Sequence, residues 1–109
     1  MASTYKVLAQ SAPSATTNTD VYTVGSGKSA VVSTITVCNR SASAATYRIA
    51  IRVAGSTLSN EEYIAYDATV SANDTIALTL GVTLAATDVV TVYASSANLS
   101  FNLFGSEIA

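Results

Sequence analysis

The sequence predicts an all-β protein, a single antiparallel β-sandwich or jelly roll of about eight strands. Apolar and polar residues alternate with a period of two along most of the chain, as in half-buried strands. Short polar segments rich in Ser, Asn, Asp and Gly separate the alternating stretches. A chain of 109 residues fits one domain with its own core, so we expect residues 1–109 to form one sandwich.

Residues 1–19 are expected to form an N-terminal strand and a polar connecting arm. The strand is predicted at Tyr5–Gln10, where apolar side chains are spaced for a sheet. The arm, Ser11–Thr19, holds the single proline, Pro13. Because proline cannot donate a ladder hydrogen bond, the arm is predicted to lie outside the sheets.

The segment VGSGKS, residues 24–29, resembles the end of a phosphate-binding loop. Such a loop needs a leading glycine, where this chain has Tyr22, and a helix directly after it. The flanking segments Asp20–Val24 and Ala30–Cys38 are instead rich in β-branched residues and are predicted to be strands. We therefore expect a hairpin turn in which glycine supplies positive φ, and no nucleotide site.

The clearest strand prediction is Thr46–Val53. Arg48 and Arg52 fall on its outward face, where they are candidate interface residues that could pair with acidic groups of a neighbour. A solvated strand face is the alternative for both arginines. The opposite, inward face carries Tyr47, Ile49, Ile51 and Val53.

Four more strands are predicted in the second half of the chain. The segment Gly81–Thr87 is expected to be a connection with room for one helical turn. Phe104 should point outward beside Ile108, and an outward aromatic near a chain end favours either a partner or a covering loop. The strands are Glu62–Val70, Thr75–Leu80, Asp88–Ala94 and Asn98–Phe104. Their inward residues include Ile76, Leu78, Leu80, Leu99, Phe101 and Leu103.

Charge and composition argue against several classes of protein. The five basic residues form no run and the net charge is −2, so nucleic-acid binding lacks its electrostatic basis. No apolar stretch is long enough to span a membrane and no signal peptide is visible, so we expect assembly in a cytoplasm. Only 11% of residues are charged, and such a surface suits permanent contact with neighbours. Cys38 has no partner for a disulfide and is expected in the core.

No catalytic, cofactor or metal site is predicted. The chain has no histidine, so the commonest general base and metal ligand is missing. Glu61, Glu62, Asp67 and Asp74 do not follow the spacing of a calcium loop and are expected at turns and edges. No nucleophile and base can be paired, so we expect a protein that is not an enzyme.

Two stretches carry a resemblance to a known group. The segment YTVGSGKSAVVSTITVCN, residues 22–39, is similar to the Y-T-V-P-x-G-K-x-A-V-V-S-x-I-x-V-x-N opening of small structural proteins of tailed bacteriophage particles. Residues 84–94 and 98–107 are similar to the close of the same group, L-x-x-x-D-x-(I/V)-x-V-Y-(A/S) followed by L-S-F-x-x-x-G-x-E. Gly25 replaces the usual proline, which relaxes the turn without moving it.

The resemblance implies a β-sandwich virion protein assembled in the host cytoplasm. The expected role is a capsid cement or decoration protein, a homo-oligomer that bridges subunits of the major capsid protein or other virion proteins. The alternative is a tail or fibre module that binds a receptor or glycan through its loops. Those loops are Asn39–Ala44, Ser56–Glu62 and Ser95–Ala97. Candidate contact residues are Tyr5, Lys6, Pro13, Arg48, Arg52, Phe104 and Ile108.

Overall fold

The computed structural model describes residues 2–109 and confirms an all-β chain of eight strands in two four-stranded antiparallel sheets packed together. Sheet A has the order β1-β8-β3-β6, and sheet B has the order β2-β7-β4-β5. The strands are β1 (Ser3–Ser11), β2 (Thr19–Thr23), β3 (Ser29–Asn39), β4 (Ala45–Arg52), β5 (Tyr63–Val70), β6 (Thr75–Leu84), β7 (Val89–Ala94) and β8 (Leu99–Ile108).

Strand pairing follows a simple rule along the chain. The first strand pairs with the last, the second with the seventh, the third with the sixth and the fourth with the fifth. Two further ladders, β3 with β8 and β4 with β7, complete the two sheets. Most contacts therefore join residues that are far apart in sequence, and both chain ends lie in neighbouring strands of sheet A.

The core lies between the two sheets and follows the predicted alternation. Leu99, Phe101 and Leu103 of β8 are fully buried, as are Ile35 and Val37 of β3. Sheet B contributes Tyr47 and Ile49 of β4 and Val90 and Val92 of β7. Tyr47 meets Phe101 edge to face across the sheets, with ring centroids 6.4 Å apart, a favoured aromatic geometry.

A bulge in β3 shapes the middle of sheet A. The register of β3 shifts between Val32 and Thr34 against both of its neighbours. Against β8 the extra residue is Ser33, whereas against β6 the extra residue lies in β6, where Leu80 and Gly81 together oppose Ser33. Opposite this bulge lies Gly105, where a Cβ atom would sit 1.9 Å from the backbone oxygen of Val31. Only glycine therefore fits at position 105 without a backbone shift.

Some sequence-based expectations are corrected by the structure. Strand β6 continues to Leu84, so the connection expected at Gly81–Thr87 begins only after Leu84, and Gly81 lies at a register irregularity with a φ of 63°. Leu80, expected inward, is 50% exposed at this irregularity. Val53 is 63% exposed because the chain turns into a short 3-10 segment after Arg52.

Cys38 is also displaced from its expected place. It is half-buried and pairs with Ser100, whose neighbours Leu99 and Phe101 face the core. Because successive residues of a strand face opposite sides, Cys38 and Ser100 share the outer face of sheet A.

Residues 24–29 form the predicted turn, with the Lys28 amide donating to the Gly25 carbonyl at 3.2 Å and Gly27 at a φ of 76°. The expected hairpin is wrong, however, because the strands on either side do not pair with each other. Strand β2 belongs to sheet B and β3 to sheet A, so the turn carries the chain from one sheet to the other.

Candidate interaction surface

Within residues 2–109, no three His, Cys, Asp or Glu side chains are grouped so that they could hold a metal ion. None of the described segments is a helix long and apolar enough to cross a membrane. The candidate interaction residues lie on the outer faces of the two sheets.

The outer face of sheet A, called face A below, receives no charged side chain from the strands of its sheet. Those strands contain only two charged residues, Lys6 and Glu107. Lys6 pairs with Gly105, which lies opposite buried Val32, and Glu107 pairs with buried Ala30, so both occupy inward register positions. Besides Cys38 and Ser100, face A includes Tyr5, Val7, Gln10, Val31, Thr34, Thr36, Thr75, Ala77, Thr79, Asn102, Phe104 and Ser106.

An apolar depression lies at the centre of face A. Phe104 of β8 pairs with Val7 of β1, and Tyr5 pairs with Ser106, which brings their side chains to one side of the sheet. Phe104 and Tyr5 line the depression together with Val31, and Lys6 of the edge strand borders it. The Tyr5 side chain is 85% exposed and Val7 is 47% exposed, so a large apolar area here faces solvent.

The structure places the other predicted contact residues in different surroundings. Ile108 occupies an outward register position beside face A, opposite Ser29, and is half-buried. Pro13 is buried in the connection between β1 and β2, so it is not on the exposed surface of this chain. Lys6 forms an ion pair with Glu107 at 2.7 Å within the chain.

Glu107 connects the two sheets at the end of the sandwich. Its carboxylate accepts a hydrogen bond from the Tyr22 hydroxyl of β2 and pairs with Lys6 of β1. The ammonium group of Lys6, and then the Tyr22 hydroxyl, hold the pKa of Glu107 below its usual value. Burial, reinforced by the bond to Glu107, raises the pKa of Tyr22 well above its usual value. This pair could not be predicted from the sequence, because Tyr22 and Glu107 are far apart in the chain.

The outer face of sheet B differs, because it carries charges and aromatic rings. The Arg48 guanidinium lies 4.2 Å from the centroid of the Tyr66 ring and 4.3 Å from that of Tyr93. It also donates to both carboxylate oxygens of Asp67, from Nε at 2.7 Å and from an Nη at 3.3 Å. The bond to Asp67 raises the pKa of Arg48 above its usual value. Arg48 is therefore satisfied within the chain.

A bulge in β5 builds this cluster. The register shifts so that Tyr66 and Asp67 together oppose Arg48, and Asp67 adopts a φ of 50°. The shift lets two consecutive residues reach the same arginine. A second register shift, between Ile49 and Ala50, brings Tyr63 and Tyr66 edge to face at 4.9 Å between centroids, although a regular strand would place them on opposite faces.

Arg52 is held in a second network on the same face. It donates to Asp20 at 2.7 Å and to the Thr91 hydroxyl at 3.1 Å, and Thr91 in turn donates to Asp20 at 2.8 Å. An Nη of Arg52 also donates to the carbonyls of Gly55 and Ser56. Like Arg48, it already has partners within the chain.

The loops considered for glycan binding are not equivalent. The Asn39 amide is buried and donates to the carbonyls of Ser43, Val70 and Ser71, so it organises the loop and is not presented to solvent. Asn60, in contrast, lies beside Tyr63 and Tyr66, and these three residues line a shallow depression.

Comparison with known proteins identifies no relative of this chain. No family model, curated protein or solved structure matches the chain.

Proposed function

We propose that this protein is a non-enzymatic structural subunit of a tailed-phage virion, a capsid cement protein that bridges major capsid subunits. The observation that carries the proposal is face A, a sheet surface with an exposed apolar centre and no charged strand residue. Uncharged groups cost less to remove from water than charges, and a large aromatic such as Tyr5 suits the centre of an interface. The resemblance of residues 22–39 and 84–107 to virion proteins supplies the partner.

The strand order supports this proposal. Pairing first with last, second with seventh, third with sixth and fourth with fifth is the order produced when a long double strand is rolled into two sheets. We assign the sandwich to the jelly-roll type on this ground, an architecture that viral capsid domains use.

The size of face A is sufficient for a specific contact. Four strands spaced about 4.8 Å apart and about nine residues long cover roughly 19 by 30 Å. Burying that area against a neighbour removes roughly 1,100 Å² from solvent on the two partners together, just above the roughly 1,000 Å² that a biological interface should exceed and below the roughly 1,600 Å² of a standard-size one. Such burial stabilises the assembled particle by mass action, without any chemical step.

The proposal is tested on phage particles assembled without this chain. Adding back the wild-type protein should restore resistance to DNA release by heat or osmotic shock, with a high copy number on the head. A Tyr5→Ser, Phe104→Ser double variant should bind poorly, whereas Tyr66→Ser, which alters the outer face of sheet B, should bind normally. Equal release with and without the chain contradicts the cement role, and normal binding of the double variant contradicts the use of face A.

A second candidate, a tail module that binds a glycan, is favoured by the Tyr63–Tyr66 depression. Tyr66 is 58% exposed while Arg48 and Tyr63 hold its ring in place, and Asn60 lies beside it with an amide that can bond to hydroxyl groups. A rigid aromatic surface with an adjacent amide suits a saccharide. On a glycan array, Tyr66→Ala should lose binding and Tyr5→Ala should retain it. If the wild-type protein binds no glycan on the array, the role as a glycan-binding tail module is contradicted.

A further inference from the structure

Strand β6 is an edge of sheet A with one side open. It pairs only with β3, and within residues 2–109 no turn or loop donates a backbone hydrogen bond to it or accepts one from it. Apart from the Thr75 amide, which donates to the Asp74 carboxylate at 2.9 Å, the N–H and C=O groups on its open side therefore face solvent in the single chain. An edge of this kind is a template for a further strand.

The other edge strands carry features that discourage pairing, and β6 carries fewer. Strand β1 contains Lys6 and a bulge, β2 is only five residues long with Asp20, and β5 contains Asp67 at its bulge. Lysine, short length, inward or edge charges and bulges are the usual protections of natural edges. Strand β6 has ten residues without a charge or a proline, and its irregularity at Leu80 and Gly81 leaves residues 75–79 regular.

The side chains of this segment are also incompletely covered. Ile76 and Leu78 pack against the core from the edge but stay only half-buried. Thr75, Ala77 and Thr79 face outward and are exposed. A strand added at this edge would extend the core over Ile76 and Leu78 and cover apolar surface that the single chain leaves in water.

We propose that β6 pairs antiparallel with β6 of a second copy of this chain about a two-fold axis at Ala77. This register sets Thr75 opposite Thr79 of the other copy and Ile76 opposite Leu78 of the other copy, with Ala77 opposite itself. Residues on the same face then meet, and no like charges are brought together. Pairing of this kind ends at a dimer, because both subunits use the same strand edge for the contact.

The pairing joins the two A sheets into one continuous eight-stranded sheet. The two copies of face A then lie side by side on a single surface, which doubles the area offered to another protein. The inference does not rest on the proposed function, because it concerns the edge of the sheet and can be measured on the isolated protein.

Sedimentation of the purified full chain tests the inference. The wild type should show a concentration-dependent species of twice the 11.1 kDa chain mass. Ala77→Lys places two lysines opposite each other and should weaken the dimer about tenfold or more. Ala77→Glu should do the same, and an equimolar mixture of the two variants should restore dimers through opposite charges. Thr69→Lys, an exposed change on edge strand β5 of sheet B, is the matched control and should leave the dimer unchanged.

Each outcome bears on the inference. Ala77 is exposed, so both variants should retain the wild-type unfolding transition, and Thr79→Lys supplies a second outward position if one does not. A wild type that stays monomeric at every concentration overturns the proposal. So does a mixture of Ala77→Lys and Ala77→Glu that is no more dimeric than either variant alone, or a control that dissociates equally.

Discussion

The Tyr22 hydroxyl donates to the Glu107 carboxylate and so joins strand β2 of sheet B to strand β8 of sheet A. Tyr22 is nearly buried, and the side chain of Glu107 is only 18% exposed, so water competes weakly for the bond. Lys6 neutralises the carboxylate from a third strand, β1. Tyr22, Glu107 and Lys6 thus form one polar cluster that joins the two sheets at this end of the sandwich.

Replacing Tyr22 with Phe should lower the free energy of unfolding by about 1 kcal/mol at neutral pH, the usual net value of one hydrogen bond. The variant should also change how the free energy of unfolding depends on pH in the alkaline range. The pKa of Tyr22 is raised from 10.0 on folding, so its contribution is complete below pH 10.0 and is lost as the pH rises above it. Urea unfolding should therefore show a steeper alkaline loss in the wild type than in Tyr22→Phe, and parallel curves would contradict this.

Acid should destabilise the fold through Glu107 and Glu62. The pKa of each is lowered from 4.5, for Glu107 chiefly by Lys6 and for Glu62 chiefly by the Ser56 hydroxyl. A lowered pKa means that the stabilisation is complete above pH 4.5 and is lost as the pH falls through the folded-state value. Glu107→Gln should flatten the acid limb of an unfolding curve. Glu61→Gln, whose carboxylate accepts only from the Ser59 hydroxyl, is the control.

The two phenylalanines of the chain should respond differently to truncation, since they lie on opposite faces of β8. Phe101 is fully buried against Tyr47, so Phe101→Ala should cost about 3–5 kcal/mol of unfolding free energy. Phe104 lies on face A, so Phe104→Ala should cost about 1 kcal/mol or less. Chemical denaturation of both variants measures the difference, and equal losses would contradict the assigned faces.

Glycine 105 should tolerate no side chain. An added Cβ would lie 1.9 Å from the Val31 oxygen, so Gly105→Ala forces the backbones of β3 and β8 apart and should cost about 3 kcal/mol or more. The control is Gly25→Ala, whose Cβ would meet only the flexible Lys28 side chain, at 3.4 Å. Thermal unfolding compares the two, and a control as unstable as Gly105→Ala would show that the effect is not specific to the bulge.

Asp67 supports the sheet B cluster through its backbone as well as its charge. At a φ of 50°, alanine is less well tolerated than asparagine or glycine. Asp67→Ala should therefore be less stable than Asp67→Asn by about 1 kcal/mol. Added salt should weaken the wild type more than either variant, because only the wild type retains the Arg48–Asp67 pair. The opposite order of the two variants would contradict a backbone role.

The sequence predicts the fold well because the alternation in each strand reports its buried face. Each of the eight strands overlaps its predicted segment, although β6 and β8 each run four residues further than predicted, and the inward residues of β8 are buried as expected. The alternation fails at the irregularities. Leu80 beside Gly81 and Tyr66 beside Asp67 change faces there, and a bulge is set by the partner strand, which the local sequence does not contain.

The candidate surface is predicted only in part for a related reason. Phe104 and Ile108 could be placed beside each other from their positions near the chain end, but the proximity of Tyr5 follows only from the pairing of β1 with β8. The partners of Arg48 and Arg52 could not, since Asp67 and Asp20 reach them through pairings between distant strands. Pro13 has no periodic neighbours from which its burial could be deduced.

The pairing of the first strand with the last has a consequence for engineering the chain. The Ala109 amide donates to the Ala2 carbonyl at 2.9 Å, so these two positions already touch. A short covalent link between them would give a circular backbone that keeps every ladder of both sheets. The polypeptide could then be opened in an exposed loop such as residues 71–74, giving a permuted protein with the same three-dimensional arrangement.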